Sequence, residues 1–166
     1  MIEVELVGVR VEMPSSAHFV VLREKAVRQR SMTIYIGEPE AQAIALAVEG
    51  VEPRRPLTHD LLCNLLETLG VTLVRVIVTE LVDRTFFAEL HLEGFGETHV
   101  ESSRPSDALA LAARIGCPVF VNEALIDEVG FIDTLAEEQS SADPDEVVEE
   151  FRHFIDTVSP EDFAAE

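Results

Sequence analysis

The sequence predicts an α+β fold: a single domain of two β-β-β-α repeats that form a mixed, mainly antiparallel sheet with two buried helices, followed by a C-terminal amphipathic helix. The first observation is internal repetition. The segment Ile34–Gly50 (IYIGEPEAQAIALAVEG) has a counterpart sixty-six positions later in Val100–Gly116 (VESSRPSDALALAARIG). In both, a proline precedes an alanine-rich run that is typical of a closely packed helix. A repeat of this length indicates duplication of one unit, over approximately residues 2–50 and 71–116.

The second observation is an uneven distribution of charge. The chain has 166 residues and a formal net charge of −20, of which −11 lies in residues 133–166. We therefore expect a domain over residues 1–132 and an acidic C-terminal extension over residues 133–166, with a helix at 144–158. Such a negative chain is poorly suited to bulk attraction of nucleic acid, because that binding normally uses lysine and arginine.

The sequence also predicts the cellular compartment and the oligomeric state of the protein. The chain has neither a signal-like start nor an apolar run of about 20 residues, so we expect a cytoplasmic protein that does not enter a membrane. Two cysteines, Cys63 and Cys117, are too few for a disulfide framework. Duplication, together with an apolar helix that has no evident partner, predicts a homo-oligomer, most simply a dimer.

The first repeat begins with three predicted strands and ends in a helix. Ile2–Glu12 alternates in polarity and changes phase near Gly8, and the next strands are His18–Lys25 and Met32–Ile36. The helix runs from Pro39 to Glu49. Its first turn holds Glu38 and Glu40, which are candidate catalytic or metal-binding carboxylates; stabilisation of the helix dipole is the alternative.

A polar connection and a second helix separate the repeats. Arg54 and Arg55 in the connection are predicted to be exposed and are candidate substrate-binding residues. Thr58 begins an amphipathic helix that carries a stripe of leucines. Gly70 ends this helix. His59 and Asp60 in its first turn are candidate catalytic residues, and capping is the alternative.

The second repeat contains a hairpin with a candidate metal site. Val71–Leu81 is a predicted strand, and Thr85–Glu93 and Glu97–Ser102 flank a glycine-containing loop. A three-residue loop would pair His91 with His99 and Glu89 with Glu101 on one face. Nitrogen and oxygen ligands of this kind suit a divalent ion. The alternative is an ordinary water-facing sheet surface.

The segment Ser102–Asp107 (SSRPSD) begins the second buried helix. Arg104 precedes the helix N-terminus, where an anion is stabilised by free amides, so it is a candidate substrate-binding residue. Its alternative role is an ion pair with Asp107 or with another element. A short strand, Cys117–Asn122, and a short helix, Glu123–Val129, complete the domain.

Three blocks carry a family resemblance: YIGEPEAQAIALAVEG (35–50), RPLTHDLL (55–62) and RPSDALALAARIGCPVFV (104–121). They resemble the signature blocks of the bifunctional nuclease (BFN) domain family, over about residues 1–131. VSPEDF (158–163) is similar to an extension of some bacterial members. The resemblance implies hydrolysis of RNA or DNA, and such chemistry often uses Mg²⁺, Mn²⁺ or Zn²⁺. The alternatives are a non-enzymatic oligomeric binding or regulatory module and a small-molecule enzyme on the same fold.

Overall fold

The computed structural model describes residues 1–132, which form eight strands and four helices. Their bounds are β1 Ile2–Glu12, β2 Ala17–Glu24, β3 Arg30–Ile36, α1 Glu38–Val48, α2 Thr58–Thr68, β4 Thr72–Val82, β5 Thr85–Gly94, β6 Glu97–Ser103, α3 Pro105–Ile115, β7 Val119–Val121, α4 Glu123–Val129 and β8 Phe131–Ile132. The α+β class is confirmed, and the order β-β-β-α occurs twice with α2 between the two copies. The predicted extension and its helix at 144–158 lie outside the described residues.

All eight strands belong to one mixed sheet with the order β6-β5-β4-β7-β1-β2-β3-β8. Each repeat contributes an antiparallel set of three neighbouring strands. Strand β7 joins the sets, because it pairs antiparallel with Ile2–Val4 of β1 and parallel with Val76–Val78 of β4. The predicted break near Gly8 is a register shift between Leu6 and Gly8.

The helices pack on one face of this sheet and form the core with it. Alternate residues of the strands, such as Val20, Leu22, Met32 and Val76, are buried there. Helix α3 is the central helix, and every residue from Ala108 to Ala112 is almost fully buried. Small alanines allow α3 to lie close to both the sheet and α1. Helix α1 buries one side only, through Ala41, Ala43 and Ile44.

Helix α2 is the predicted amphipathic helix, but its leucine stripe is largely exposed. None of its residues is fully buried, and it contacts the core through the partly buried Cys63 and Leu66. Its outer leucines stay in solvent, with Leu61 52% exposed and Leu65 49% exposed. Within residues 1–132, no element covers the outer part of the stripe, which includes Leu61 and Leu65.

The predicted register of the β5–β6 hairpin is wrong by one residue. The turn has two central residues, Phe95 and Gly96, with φ of 56° and 81°. Both angles are left-handed, as a two-residue hairpin turn of this type requires. His91 therefore pairs with Val100, and His99 pairs with Leu92. Because opposed residues share a face, His91 and His99 lie on opposite faces of the sheet.

No helix in the described part of the chain is long and apolar enough to cross a membrane. Cys63 and Cys117 are free and partly buried. Burial raises the pKa of the Cys117 thiol to about 11 and also raises that of Cys63.

Candidate functional site: three helix starts around Arg104

The first turns of α1, α2 and α3 meet, although they are far apart in sequence. Glu40 lies in the first turn of α1, His59 in that of α2 and Asp107 in that of α3, while Arg104 is the residue that precedes α3. Hydrogen bonds and ion pairs connect these four side chains. We call them the helix-start network.

Arg104 is the centre of the helix-start network. Its Nε atom donates to Asp107 Oδ2 at 2.7 Å and its Nη2 atom to Asp107 Oδ1 at 3.0 Å. Arg104 Nη2 also lies 3.0 Å from Glu40 Oε1. On the far side, His59 Nε2 lies 3.2 Å from Asp107 Oδ1. One guanidinium group thus joins two carboxylates from different helices, in a planar geometry that arginine favours.

The charges of the network support one another. Burial alone would raise the pKa of Asp107, but the hydrogen bonds from Arg104 and His59 outweigh it and hold that pKa below its usual value. The same contacts with Asp107, aided by Glu40, raise the pKa of Arg104. Carboxylates in first helical turns also compensate the positive ends of the helices. The pair of Arg104 with Asp107 is therefore charged throughout the physiological pH range.

Asp60 belongs to a neighbouring set of contacts that holds the helices together. Its Oδ2 atom accepts from the backbone N–H of Leu57 at 2.8 Å, and its Oδ1 atom accepts from Arg114 Nε of α3. Arg114 Nη1 donates in addition to the carbonyl oxygens of Ala43 in α1 and Ala110 in α3. The hydrogen bond from Arg114 lowers the pKa of Asp60. Both oxygens of Asp60 are thus engaged in fixing α2 against α1 and α3.

A cavity of about 300 Å³ opens beside the network. Its walls come from the end of β3, the β4–β5 turn and the starts of α1 and α3. Its lining includes charged or polar side chains from three of these elements: Glu40, Arg84, Arg104 and Ser106. Gly37 belongs to the same wall, and a Cβ atom there would clash with Glu40 Oε2. The glycine therefore leaves room for the carboxylate at the cavity edge.

Three of the predicted candidates lie apart from this arrangement. Glu38 is exposed at the start of α1, and no ion pair involves it within residues 1–132. Arg54 and Arg55 are exposed in the connection before α2 and are not among the residues that line the cavity.

The residues of the predicted metal site are not brought together. His91 lies 3.3 Å from Glu89 Oε2 and 3.5 Å from an Arg75 nitrogen on the sheet face opposite the helices, while His99 and Glu101 lie on the helix face. Within residues 1–132, no group of three or more His, Cys, Asp or Glu side chains is placed to hold one ion. In the helix-start network, each carboxylate already has an arginine partner. The donors within residues 1–132 therefore do not fit a bound divalent ion.

Sequence reasoning missed two residues of this region. The ion pair of Arg104 with Asp107 is confirmed, but the contact of Asp107 with His59 was not predicted. Arg84, in the turn between β4 and β5, was not singled out. An arginine at the second position of a tight two-residue turn was the available signal, because glycine usually occupies that position.

Comparison with known proteins agrees with the positions of these segments. The model of the bifunctional nuclease domain matches residues 20–133. The chain belongs to the bifunctional nuclease domain family. All four residues of the helix-start network, and Arg84, lie inside the matched region of this family.

Relatives fall into two groups. The uncharacterized protein Rv1829 of Mycobacterium tuberculosis is 44% identical over 165 residues, which cover 98% of each chain. Bifunctional nuclease 2 of Arabidopsis thaliana is 30% identical over 115 residues, which cover 68% of this chain. Bifunctional nuclease 1 of Oryza sativa subsp. indica is 25% identical over 111 residues, or 65% of this chain. The matched part is 34% of each plant protein, so this chain resembles one portion of those longer proteins.

Proposed function

We propose that this protein is a nuclease that hydrolyses phosphodiester bonds of RNA or DNA at the cavity beside the helix-start network. The observation that carries the proposal is spatial. Three segments that resemble the family's signature blocks contribute Glu40, His59 and Arg104, and these side chains form one connected network at a cavity. Plant relatives named bifunctional nucleases support the reaction class.

Arg104 is the proposed phosphate ligand. It lines the cavity, and its side chain is 66% exposed although three hydrogen bonds or ion pairs hold it. A guanidinium group fixed in this way is already oriented for the non-bridging oxygens of a phosphodiester. Two carboxylates fix its position, but they also reduce the net positive charge beside the substrate.

Glu40 is the proposed general base. Among the carboxylates of the network it is the one that lines the cavity, so a water bound there is within its reach. In the reaction, the water oxygen forms a bond to phosphorus and its proton passes to Glu40. The bond between phosphorus and the leaving oxygen breaks, and that oxygen takes a proton from solvent. General-base catalysis of this kind contributes about 10²–10⁴-fold.

His59 and Asp107 are proposed to position Arg104. His59 is 13% exposed, and its Nε2 atom is directed at Asp107. Asp107 in turn holds two nitrogens of the guanidinium group. The pair therefore keeps Arg104 turned toward Glu40 and the cavity.

The experiment is cleavage of fluorescent single-stranded RNA and DNA by purified protein, in EDTA and then with added Mg²⁺, Mn²⁺ or Zn²⁺. The test variant is Glu40→Gln and its matched control is Glu38→Gln, two residues away on the same helix. We expect Glu40→Gln to lower kcat about 10²-fold or more, and Glu38→Gln to leave it nearly unchanged. Equal loss in both variants, or in neither, would reject Glu40 as the base. The metal series tests the prediction of a divalent cofactor separately.

The second candidate function is a non-enzymatic oligomeric binding or regulatory module. The exposed leucine stripe of α2 favours it, because apolar side chains at this spacing commonly contact another protein chain. If protein free of contaminating nuclease cleaves no substrate under any of these conditions, the module becomes the better explanation. A dimer through α2 is compatible with both functions.

A further inference from the structure

The backbone at Arg84 has a conformation that is unfavourable for arginine. It is the second central residue of the turn Val82–Thr85, between β4 and β5, and has a φ of 64°; Asp83 before it has a φ of 48°. Glycine is strongly preferred at this second position, since it adopts left-handed angles without steric cost. An arginine there lowers stability relative to glycine. Backbone strain of this kind is often found at functional sites, which directs attention to the arginine side chain.

The side chain of Arg84 is part of the cavity wall, together with Arg104 and Glu40. The two arginines differ in their partners. Arg104 is paired with Glu40 and Asp107, whereas Arg84 has no ion pair within residues 1–132. Two cations, Arg84 and Arg104, and one anion, Glu40, line the cavity, and the cation that has no ion pair within residues 1–132 is Arg84.

We propose that Arg84 is a substrate-positioning residue that binds the phosphate of the substrate together with Arg104. The proposal rests on the nuclease function given above and adds the group that holds the substrate. A phosphodiester carries one negative charge, and the charge of Arg104 is already compensated by its two carboxylates. A second, uncompensated guanidinium supplies the missing attraction, with donors that fit the non-bridging oxygens.

A cavity of about 300 Å³ is at the small end of the range for small-molecule sites. It can take the phosphate and the sugar of one nucleotide unit of a chain. The predicted ligand class is therefore the nucleoside monophosphate unit, and uridine 5′-monophosphate is a suitable probe that cannot report hydrolysis of a nucleic acid chain.

The test uses Arg84→Gly, because glycine suits the turn better than arginine does. We expect Arg84→Gly to unfold at the same or a higher temperature, yet to bind uridine 5′-monophosphate about tenfold more weakly in isothermal titration calorimetry. With an RNA oligonucleotide, KM should rise by a similar factor while kcat changes less. Arg84→Lys keeps the charge and should lose only part of the affinity.

The matched control is Arg28→Gly, which removes one positive charge from an exposed connection that does not line the cavity. It should bind the nucleotide as the wild type does. Equal weakening by Arg28→Gly would overturn the proposal, because net charge alone would then explain the loss. Wild-type affinity in Arg84→Gly, or the absence of nucleotide binding by the wild type, would also overturn it. Weaker binding in Arg84→Gly without RNA cleavage by any form would retain the phosphate site and reject the nuclease.

Discussion

His59 Nε2 lies 3.2 Å from Asp107 Oδ1, so the first turn of α2 contacts the first turn of α3 across 48 residues of sequence. Asp107 uses its other contacts for Arg104, and the histidine therefore stabilises the arginine indirectly. Cleavage assays on variants of His59 and Asp107 distinguish this positioning role from proton transfer by His59 itself.

We expect Asp107→Asn to lower kcat/KM about tenfold or more, because removing the charge weakens both nitrogen contacts of Arg104. His59→Gln should lower kcat/KM by a smaller factor, since glutamine can still donate a hydrogen bond to Asp107. The measurement is kcat and KM against pH for both variants. A loss in His59→Gln as large as in Asp107→Asn, with the acidic limb of the pH profile abolished, would instead make His59 the proton acceptor.

Gly37→Ala tests the close approach of Glu40 to the end of β3. Gly37 has a φ of −71°, which alanine adopts without strain, so the fold should persist. The added Cβ atom would displace the Glu40 carboxylate, the flexible partner in the clash. We expect turnover to fall about tenfold, with a melting temperature within a few degrees of the wild type. Unchanged turnover in a folded variant would show that Glu40 does not need this position.

Stability should depend on a buried ion pair away from the cavity. Glu24 is 2% exposed, and its Oε1 atom lies 2.7 Å from Arg30 Nη2. Arg30 donates to the carboxylate three times, counting its backbone N–H, and also contacts Asp127. Glu24→Gln leaves Arg30 with a weaker partner, and we expect it to lower the free energy of unfolding by about 3–5 kcal/mol. Urea denaturation measures this, and a loss below about 1 kcal/mol would contradict the pair's structural role.

The same carboxylate predicts how stability changes with pH. The hydrogen bond from Arg30 is the largest influence on Glu24 and lowers its pKa from the ordinary value of 4.5. A lowered pKa in the folded state means that the stabilisation is complete above the unfolded value. It is lost as pH falls through the folded value, that is, below about 4.5. Urea denaturation from pH 7 to pH 3 should show a steeper decline for the wild type than for Glu24→Gln, and parallel curves would contradict the assignment.

The leucine stripe of α2 predicts self-association. Leu61 and Leu65 are half exposed on a face of the helix that carries few charges, although the protein as a whole is strongly acidic. Two copies can approach most easily where like charges are absent. We expect light scattering to give twice the chain mass of 18.3 kDa for the wild type, and the chain mass for Leu61→Glu/Leu65→Glu.

The control for this change is Val82→Glu, at a position that is 45% exposed at the end of β4. It should leave the mass unchanged. A wild type that is already a monomer at micromolar concentration would reject the dimer through α2.

Cys117 should react slowly with alkylating reagents. Burial raises its pKa to about 11, and the thiolate is the reactive form. At pH 8, the thiolate fraction is then lower by roughly two orders of magnitude than for an ordinary cysteine of pKa about 8.5. Iodoacetamide labelling followed by mass spectrometry should show this slow rate, and urea should abolish the protection. Fast labelling in the folded protein would contradict the burial of Cys117.

The sequence predicted the fold class because the repeat and the strand alternation are local signals. Strand β1 (Ile2–Glu12) and helix Glu123–Val129 match their predicted bounds, and the other predicted elements differ at one or both ends by one or two residues. Burial of α2 was not predictable in the same way. A leucine stripe shows which side of a helix is apolar, but whether another element covers that side depends on packing.

The hairpin error has a physical cause. Leu90 and Leu92 lie on the helix face in either register, so only the residues of β6 change sides. Strand β6 is an edge strand that is almost entirely exposed, and either set of its side chains tolerates solvent. The hydrophobic pattern therefore could not fix the register, and the turn geometry decided it. Similarly, the pair of Arg104 with Asp107 was predictable from their spacing, whereas contacts with Glu40 and His59 required the packing of three helices.

The shortness of strand β7 predicts where the molecule separates under a pulling force. Within residues 1–132, strand pairing between the two repeats runs through its three residues, while β4 and β5 pair along nearly their whole length. Under a pulling force, the ladders inside each repeat share the load over many hydrogen bonds, whereas β7 has few. We therefore expect the molecule to come apart first at β7, with each three-stranded set separating as a unit.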